Sequence, residues 1–245
     1  MLKGTRRALF NAGGGVAYID KLLGIQAASL ILLHPMNETS GGTAIDASPE
    51  GNDGAYTGVT LNNSTGPTGE PVGLWDGVND FNNVYSAAFD VDFDDTEGSM
   101  ACWLKVSGAG VWADATFRGG FSLGQGNNNY VGLFKNTTAN EILIRFRGTS
   151  TNKDVTSTAL GATTEWVHVA QTWSSAANEI KGFVNGAQIG ATNTYQAFTD
   201  PLAAGRCVVG AFTNVPASVW DGYLAYAAVW KTPLTPAEVL SVATV

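Results

Sequence analysis

The densest cluster of reactive side chains is Asp90, Asp92, Asp94, Asp95 and Glu97. Retaining glycoside hydrolysis needs two carboxyl groups about 5–5.5 Å apart, a gap that alternate residues of one strand can meet. This run instead precedes the strand pattern that begins at Met100, and no tryptophan stands beside it as a sugar platform. Charge runs ordinarily stay hydrated, so a wet acidic loop and no catalytic residue are expected. His34 and His168 each lie inside an apolar stretch. Without a Gly-x-Ser-x-Gly motif or a nucleophile–base–orienter set, both read as hydrogen-bonded structural residues. Cys102 and Cys207 fall in predicted strands, with no Cys-x-x-Cys or His/Cys cluster to suggest zinc. Two buried thiols and one disulfide both remain open.

A different chemistry is written in Gln125-Gly126-Asn127-Asn128-Asn129-Tyr130, with Trp112 upstream on a Gly-rich segment. Sugars are held by an aromatic face against their C–H surface and by amides or carboxyls on their hydroxyls. Trp112, Gln125, Asn127, Asn129 and Tyr130 are therefore the candidate glycan-binding residues. The competing reading is an Asn-rich turn beside core aromatics. Four Asn-x-Ser/Thr sequons, at Asn37, Asn62, Asn63 and Asn136, are what chance provides in a chain so rich in Asn and Thr.

The elements that must position these residues read as β-structure. Only 14% of the 245 residues are charged, against about 25% in an ordinary soluble domain. Thirty are Gly, and 44% are hydrophobic, including seven Trp and eleven Phe that need burial. Short strands and tight turns suit this composition, and disorder does not. Period-two alternation marks Met100–Val106 and Ile142–Arg147, the latter with one wet face carrying Arg145 and Arg147. Further strands are expected at 29–34, 166–173, 180–184, 207–212 and 223–230, and 39–65 reads as loop. Asn185-Gly186 signals a hairpin, and Thr235-Pro236-Ala237-Glu238 a capping box opening a short helix to about 242. No apolar run approaches the roughly 20 residues of a membrane span.

Residues 1–28 differ from the rest. They carry a net charge of +3, from Lys3, Arg6, Arg7 and Lys21 against Asp20, while the remainder carries −11. Three consecutive glycines and an early aspartate interrupt the apolar stretch a signal peptide requires. The segment is expected to be an N-terminal attachment arm, extended or partly helical, whose removal leaves the domain folded. Residues 29–245 form one domain, and the net −8 without a basic patch excludes nucleic acid as the main partner.

Six segments, in order, resemble laminin-G-like domains of the concanavalin A-like, pentraxin-type class. They are 34–54; Gly73-Leu74-Trp75-Asp76-Gly77-Val78-Asn79-Asp80-Phe81; Ala101-Cys102-Trp103-Leu104-Lys105; Glu165-Trp166-Val167-His168-Val169-Ala170; Phe183-Val184-Asn185-Gly186; and the stretch from Trp220-Asp221-Gly222 to Leu234-Thr235-Pro236-Ala237-Glu238. The resemblance implies an all-β, two-sheet antiparallel jelly-roll sandwich with a short C-terminal helix. It also implies calcium near an early acidic loop and a late acidic strand. Asp46 and Asp53 stand at the first, but the second reads Leu224-Ala225-Tyr226-Ala227, so no cofactor is expected, with calcium as the alternative.

Sugar binding without catalysis is what the resemblance implies most directly. A basic arm on an acidic body, with no signal peptide, fits a bacteriophage virion surface protein: capsid decoration, or a tail or fibre component contacting host-surface polysaccharide. Its arm would join other virion proteins through Lys3, Arg6 and Arg7. The alternatives are a secreted bacterial carbohydrate-binding adhesin module, located extracellularly, and a glycan hydrolase or lyase. Oligomeric state is open, since no heptad is present to drive assembly.

Overall fold

The computed structural model describes residues 14–198, 201–215 and 217–245. In chain order it contains α1 (Gly14–Gly24), β1 (Leu30–His34), β2 (Thr43–Ala44), β3 (Gly54–Thr57), β4 (Thr60–Thr65), β5 (Pro71–Asp76), β6 (Phe81–Asn83), α2 (Ala87–Asp92), β7 (Glu97–Val106) and α3 (Ala109–Ala113). There follow β8 (Arg118–Gly124), β9 (Tyr130–Lys135), β10 (Ile142–Gly148), β11 (Thr151–Ser157), β12 (Val167–Ser174), β13 (Glu179–Val184), β14 (Ala187–Asn193), β15 (Val208–Val209), β16 (Asp221–Trp230) and α4 (Pro236–Val242). The strands pair antiparallel in two sheets. The first runs β14-β13-β12-β7-β16-β5-β4, with β1 also on β16, and the second runs β11-β10-β9-β8-β15-β6-β3-β2. This is the expected jelly-roll sandwich.

The main core lies between the sheets. Met100, Cys102, Leu104, Val169, Trp173 and Val229 of the first sheet meet Phe121, Leu133, Ile144, Phe146 and Val209 of the second. Both cysteines are free and buried. Burial pushes the Cys207 thiol up to about 12 despite the Gly124 carbonyl near it, so neither sulfur is reactive at neutral pH.

The first sheet is buried on its outer face as well. Tyr18, Ile19 and Leu22 of α1 and Val239 and Val242 of α4 pack on Trp103, Ala170, Phe183, Tyr226 and Trp230. Trp103 Nε1 donates to Tyr18 Oη (2.9 Å), Tyr18 Oη donates to the Val242 carbonyl, and Trp230 Nε1 donates to the Ile25 carbonyl (3.0 Å). The second half of the predicted arm is thus part of the packed unit, and the edge of that unit lies before residue 29. Lys3, Arg6 and Arg7 lie outside the described residues.

Covering both faces also explains why β12 is buried at all eight positions rather than at alternate ones. His168 sits in that second layer, edge-on to Trp103 at 5.2 Å. It is structural as expected, yet neither ring nitrogen has a partner. Burial holds its pKa down at about 3, so the ring is neutral.

Two further local expectations are corrected. The stretch 39–65 contains β2, β3 and β4. Thr60–Thr65 is almost wholly polar and exposed because β4 is an edge strand, held by its ladder to β5 rather than by burial. The acidic segment begins as a short helix, with Ser86 Oγ accepting from Phe89 N at its N-cap. The C-terminal capping box and the Asn185-Gly186 turn, at φ 49° and 80°, form as read.

Candidate functional site

Among the described residues, no helix covers the outer face of the second sheet. On β8, β9 and β10, side chains alternate: Phe121, Leu133 and Ile144 point to the core, and Ser122, Gly132 and Arg145 share the opposite face in one cross-strand row. The neighbouring outward row joins Gly124, Tyr130 and Arg147. Gly132 is required there, since a Cβ would stand 2.2 Å from Phe134 Cζ. Around these rows Tyr130, Phe134 and Leu143 form a small cluster with half-buried Phe117 and Phe212. Phe212 meets Tyr130 edge-on at 4.9 Å, and the Arg206 guanidinium lies over the Phe212 ring at 5.6 Å.

Charge is set locally. Arg145 forks onto Asp154, Nε to Oδ1 at 2.6 Å and Nη2 to Oδ2 at 2.7 Å. The Asp154 hydrogen bonds raise the guanidinium pKa further. Arg145 Nη1 also donates to Tyr130 Oη at 3.2 Å, which fixes the phenol. At the opposite end of the sheet Lys135 is wholly buried. Its Nζ is paired with Asp114 Oδ1 (3.0 Å) and donates to the carbonyls of Asp114, Thr116 (3.1 Å) and Asn136 (2.9 Å). Burial pushes the Asp114 carboxyl up. Hydrogen bonds from Arg118, Thr116 N and Lys135 outweigh that and hold it at about 2.

The 125–129 loop closes the rim near Tyr130. Gln125 N donates to the Asn129 carbonyl (3.0 Å), and Thr149 N donates to Asn129 Oδ1 (2.9 Å). Ser150 N donates to the Asn128 carbonyl (3.1 Å). The loop thereby braces a β10–β11 turn in which Thr149 and Ser150 hold φ of 45° and 69°, a strained conformation for a β-branched residue.

The structure separates the five predicted glycan-binding residues. Gln125 and Asn127 are exposed at the loop tip. Asn129 is buried and spent on the Thr149 turn, and Tyr130 is buried under Phe212 as a wall of the face. Trp112 is wholly buried in α3, edge-on to Trp220 at 6.1 Å, so no face of its indole is open to a sugar. It also stands at the Arg118 end of β8, about 20 Å of strand from the loop, because α3 precedes that end and its carbonyl accepts from Asn140. What sequence reading missed is Arg206 and Phe212. They reach Tyr130 only through the pairing of Val208 with Ser122, and no local pattern marks them.

The other chemical candidates have structural occupations. Asp90 Oδ1 accepts from Leu202 N, Asp92 pairs with Lys231 at 3.0 Å, Asp94 Oδ1 accepts from Thr96, and Glu97 Oε1 accepts from Ser174 Oγ and Ala176 N. Asn82 Nδ2 donates to His34 Nδ1 (3.0 Å), leaving Nε2–H to donate to the Asn52 carbonyl (2.8 Å). Asp46 is fully buried and accepts from Leu33 N and Ser48 N on Oδ1, and from Ser48 Oγ and Asn52 N on Oδ2. All four acceptor positions of the carboxylate are filled, and Ala225 and Tyr226 stand buried where the resemblance wants acids, so these residues do not fit a calcium ion. Among the described residues no group of three or more His, Cys, Asp or Glu side chains is placed to hold a metal. No helix there is long and apolar enough to cross a membrane.

A family model described as the concanavalin A-like lectin/glucanases superfamily matches residues 76–240. No curated protein matches the chain. Domain 4 of AbnA, an extracellular GH43 arabinanase from Geobacillus stearothermophilus in complex with arabinotriose, superposes at a TM-score of 0.62 and 18% identity, covering 88% of this chain and 98% of that one. The receptor-binding domain of botulinum neurotoxin mosaic serotype C/D gives 0.65 and 13%, covering 88% and 50%. Trypanosoma rangeli sialidase in complex with the inhibitor DANA gives 0.60 and 11%, covering 87% and 32%. This chain spans half or less of the latter two, and at such identities the likeness is one of fold.

Proposed function

The chain belongs to the concanavalin A-like lectin/glucanases superfamily, and from that premise we propose that it binds carbohydrate without transforming it. One observation carries the reading. The outer face of the second sheet gathers half-buried aromatic rings, guanidinium groups and the exposed amides of Gln125 and Asn127, while the opposite face of the sandwich is sealed by helices. Aromatic surface with a few fixed polar groups is the chemistry of sugar recognition. The structural occupations of Asp90, Asp92, Asp94 and Glu97 support a binding role over hydrolysis.

The test is a glycan array with the intact protein, followed by calorimetry on the best ligand and an assay for released reducing ends. Binding without release is expected. Phe212→Ala and the double variant Gln125→Ala/Asn127→Ala should each weaken binding about tenfold. Retention of no glycan, or release of reducing ends, overturns the proposal.

The setting we favour is the surface of a bacteriophage particle, in capsid decoration or a tail or fibre, with a secreted bacterial adhesin as the alternative. The +3 charge of residues 1–28 against −11 for the rest supports an attachment role for the N-terminus. Removing residues 1–13 should abolish incorporation into particles and leave glycan binding intact. Unchanged incorporation removes the attachment role.

A further inference from the structure

Four arginines fall within the described residues, and three stand on strands of the second sheet while Arg206 lies two residues before β15. Two are paired with acids: Arg118 with Asp114 (2.9 Å) and Asp221 (3.9 Å), and Arg145 with Asp154 (2.6 Å). The other two have no carboxylate partner among the described residues. Arg147 Nε and Arg206 Nη1 are moreover buried N–H groups with no acceptor among the described residues. A buried donor left unmade costs free energy comparable to a lost hydrogen bond, more so when charged, so such groups in a folded protein need an explanation.

Their placement supplies one. Tyr130 pairs directly with Arg147 across β9 and β10 on the outward face. On its other side Tyr130 meets Phe212, and Phe212 carries the Arg206 guanidinium over its ring. Two unsatisfied guanidiniums thus bracket an aromatic pair. In a chain of net charge −8 this is a local reversal of sign. Guanidinium forks match planar oxyanions with two parallel hydrogen bonds, and the rings between them offer surface to the C–H face of a pyranose.

We infer that the ligand of this face is an anionic glycan, a chain bearing carboxylate or sulfate groups, with Arg147 and Arg206 holding its oxyanions on either side of the Tyr130–Phe212 pair. The inference rests on the carbohydrate reading above and narrows it to a substrate class.

Calorimetry on the intact protein with three probes separates the readings: trigalacturonate for carboxylate, a carrageenan-derived tetrasaccharide for sulfate, and neutral xylotetraose. At least one acidic probe should bind about tenfold or more tighter than the neutral one, the stronger of the two naming the oxyanion, and its binding should weaken with salt. Arg147→Gln and Arg206→Gln should each lower the preference for that probe over xylotetraose about tenfold, with the melting temperature unchanged. Equal affinity for all three probes, or Gln variants without effect on the acidic ones, overturns the anionic inference and leaves the carbohydrate reading standing. Binding of none overturns both. Should Arg147→Gln fail to fold, Arg206→Gln in the segment before β15 carries the same test. Displacement of the acidic probe from the wild-type protein by inorganic sulfate is then the second readout, and failure to displace counts against the inference.

Discussion

The two outer faces of the sandwich solve opposite problems. The first sheet presents Trp103, Tyr226 and Trp230 outward and covers them with α1 and α4. The second presents Tyr130, Arg145 and Arg147 outward and leaves Phe117 and Phe212 half-buried at its margin. Under the helices, Trp103, Tyr18 and Val242 form a chain of hydrogen bonds, beside a neutral His168 whose ring nitrogens have no partner among the described residues. On the open face the groups without an acceptor among the described residues are charged, Arg147 Nε and Arg206 Nη1. A sealed face contributes stability, and an open one with unmade hydrogen bonds is where a partner gains most by binding.

The largest expected effect concerns the seal. Tyr18, Ile19 and Leu22 are each nearly fully buried, and burying such a side chain stabilises by about 1.5–3 kcal/mol, against a net stability of about 5–15 kcal/mol for a typical domain. Removing residues 1–28 also uncovers Trp103 and Trp230, so the truncated protein should lose its cooperative thermal transition. Removing 1–13 should not. A folded 29–245 fragment would show that the helical cover is dispensable and erase the contrast between the faces.

Next in size is Lys135→Met. It leaves the carbonyls of Asp114, Thr116 and Asn136 without their buried donor and Asp114 without one of its cations. A loss of about 3 kcal/mol in urea titration is expected. Glycan affinity should be retained, since this end of the second sheet is braced shut.

A smaller effect isolates the second layer by pH. His168 is held neutral, with its pKa lowered by burial from 6.5 to about 3. The unfolded chain therefore binds a proton in that window that the folded chain refuses. His168 favours folding fully above pH 6.5, and its share is lost as pH falls toward 3, at up to about 1.4 kcal/mol per pH unit. His168→Phe should flatten the decline measured between pH 6.5 and 5 by about 2 kcal/mol. Parallel curves for the two proteins would mean that His168 has an acceptor in solution.

The mildest test is Tyr18→Phe, which keeps the ring against Tyr226 but removes the bridge between Trp103 and Val242. A loss of about 1 kcal/mol in chemical denaturation is expected. No loss would mean that packing alone holds α1 in place.

Legibility in the sequence tracked the range of the interactions involved. Ile142–Arg147 announced its own strand and its own wet face, because alternation is a property of six neighbouring residues. The Thr235–Glu238 box and the Asn185-Gly186 turn were equally local. The edge strands β2 to β4 were not legible, since polar residues such as those of Thr60–Thr65 enter a strand only when a partner supplies the ladder. Trp112 misled for a related reason. Its Gly-rich surroundings look exposed, yet Trp220, more than a hundred residues later, closes over it.

By itself, then, the sequence determined the antiparallel sandwich and most of its strands. Periodicity, caps and turns act within a few residues and need nothing distant. Tertiary structure alone decided which face is sealed, that α1 belongs to the packed unit, and that Arg206 and Phe212 join Tyr130 and Arg147. Those contacts cross roughly 80 to more than 200 positions of chain, as between Tyr130 and Phe212 or Tyr18 and Val242, and only simultaneous packing of both sheets fixes them.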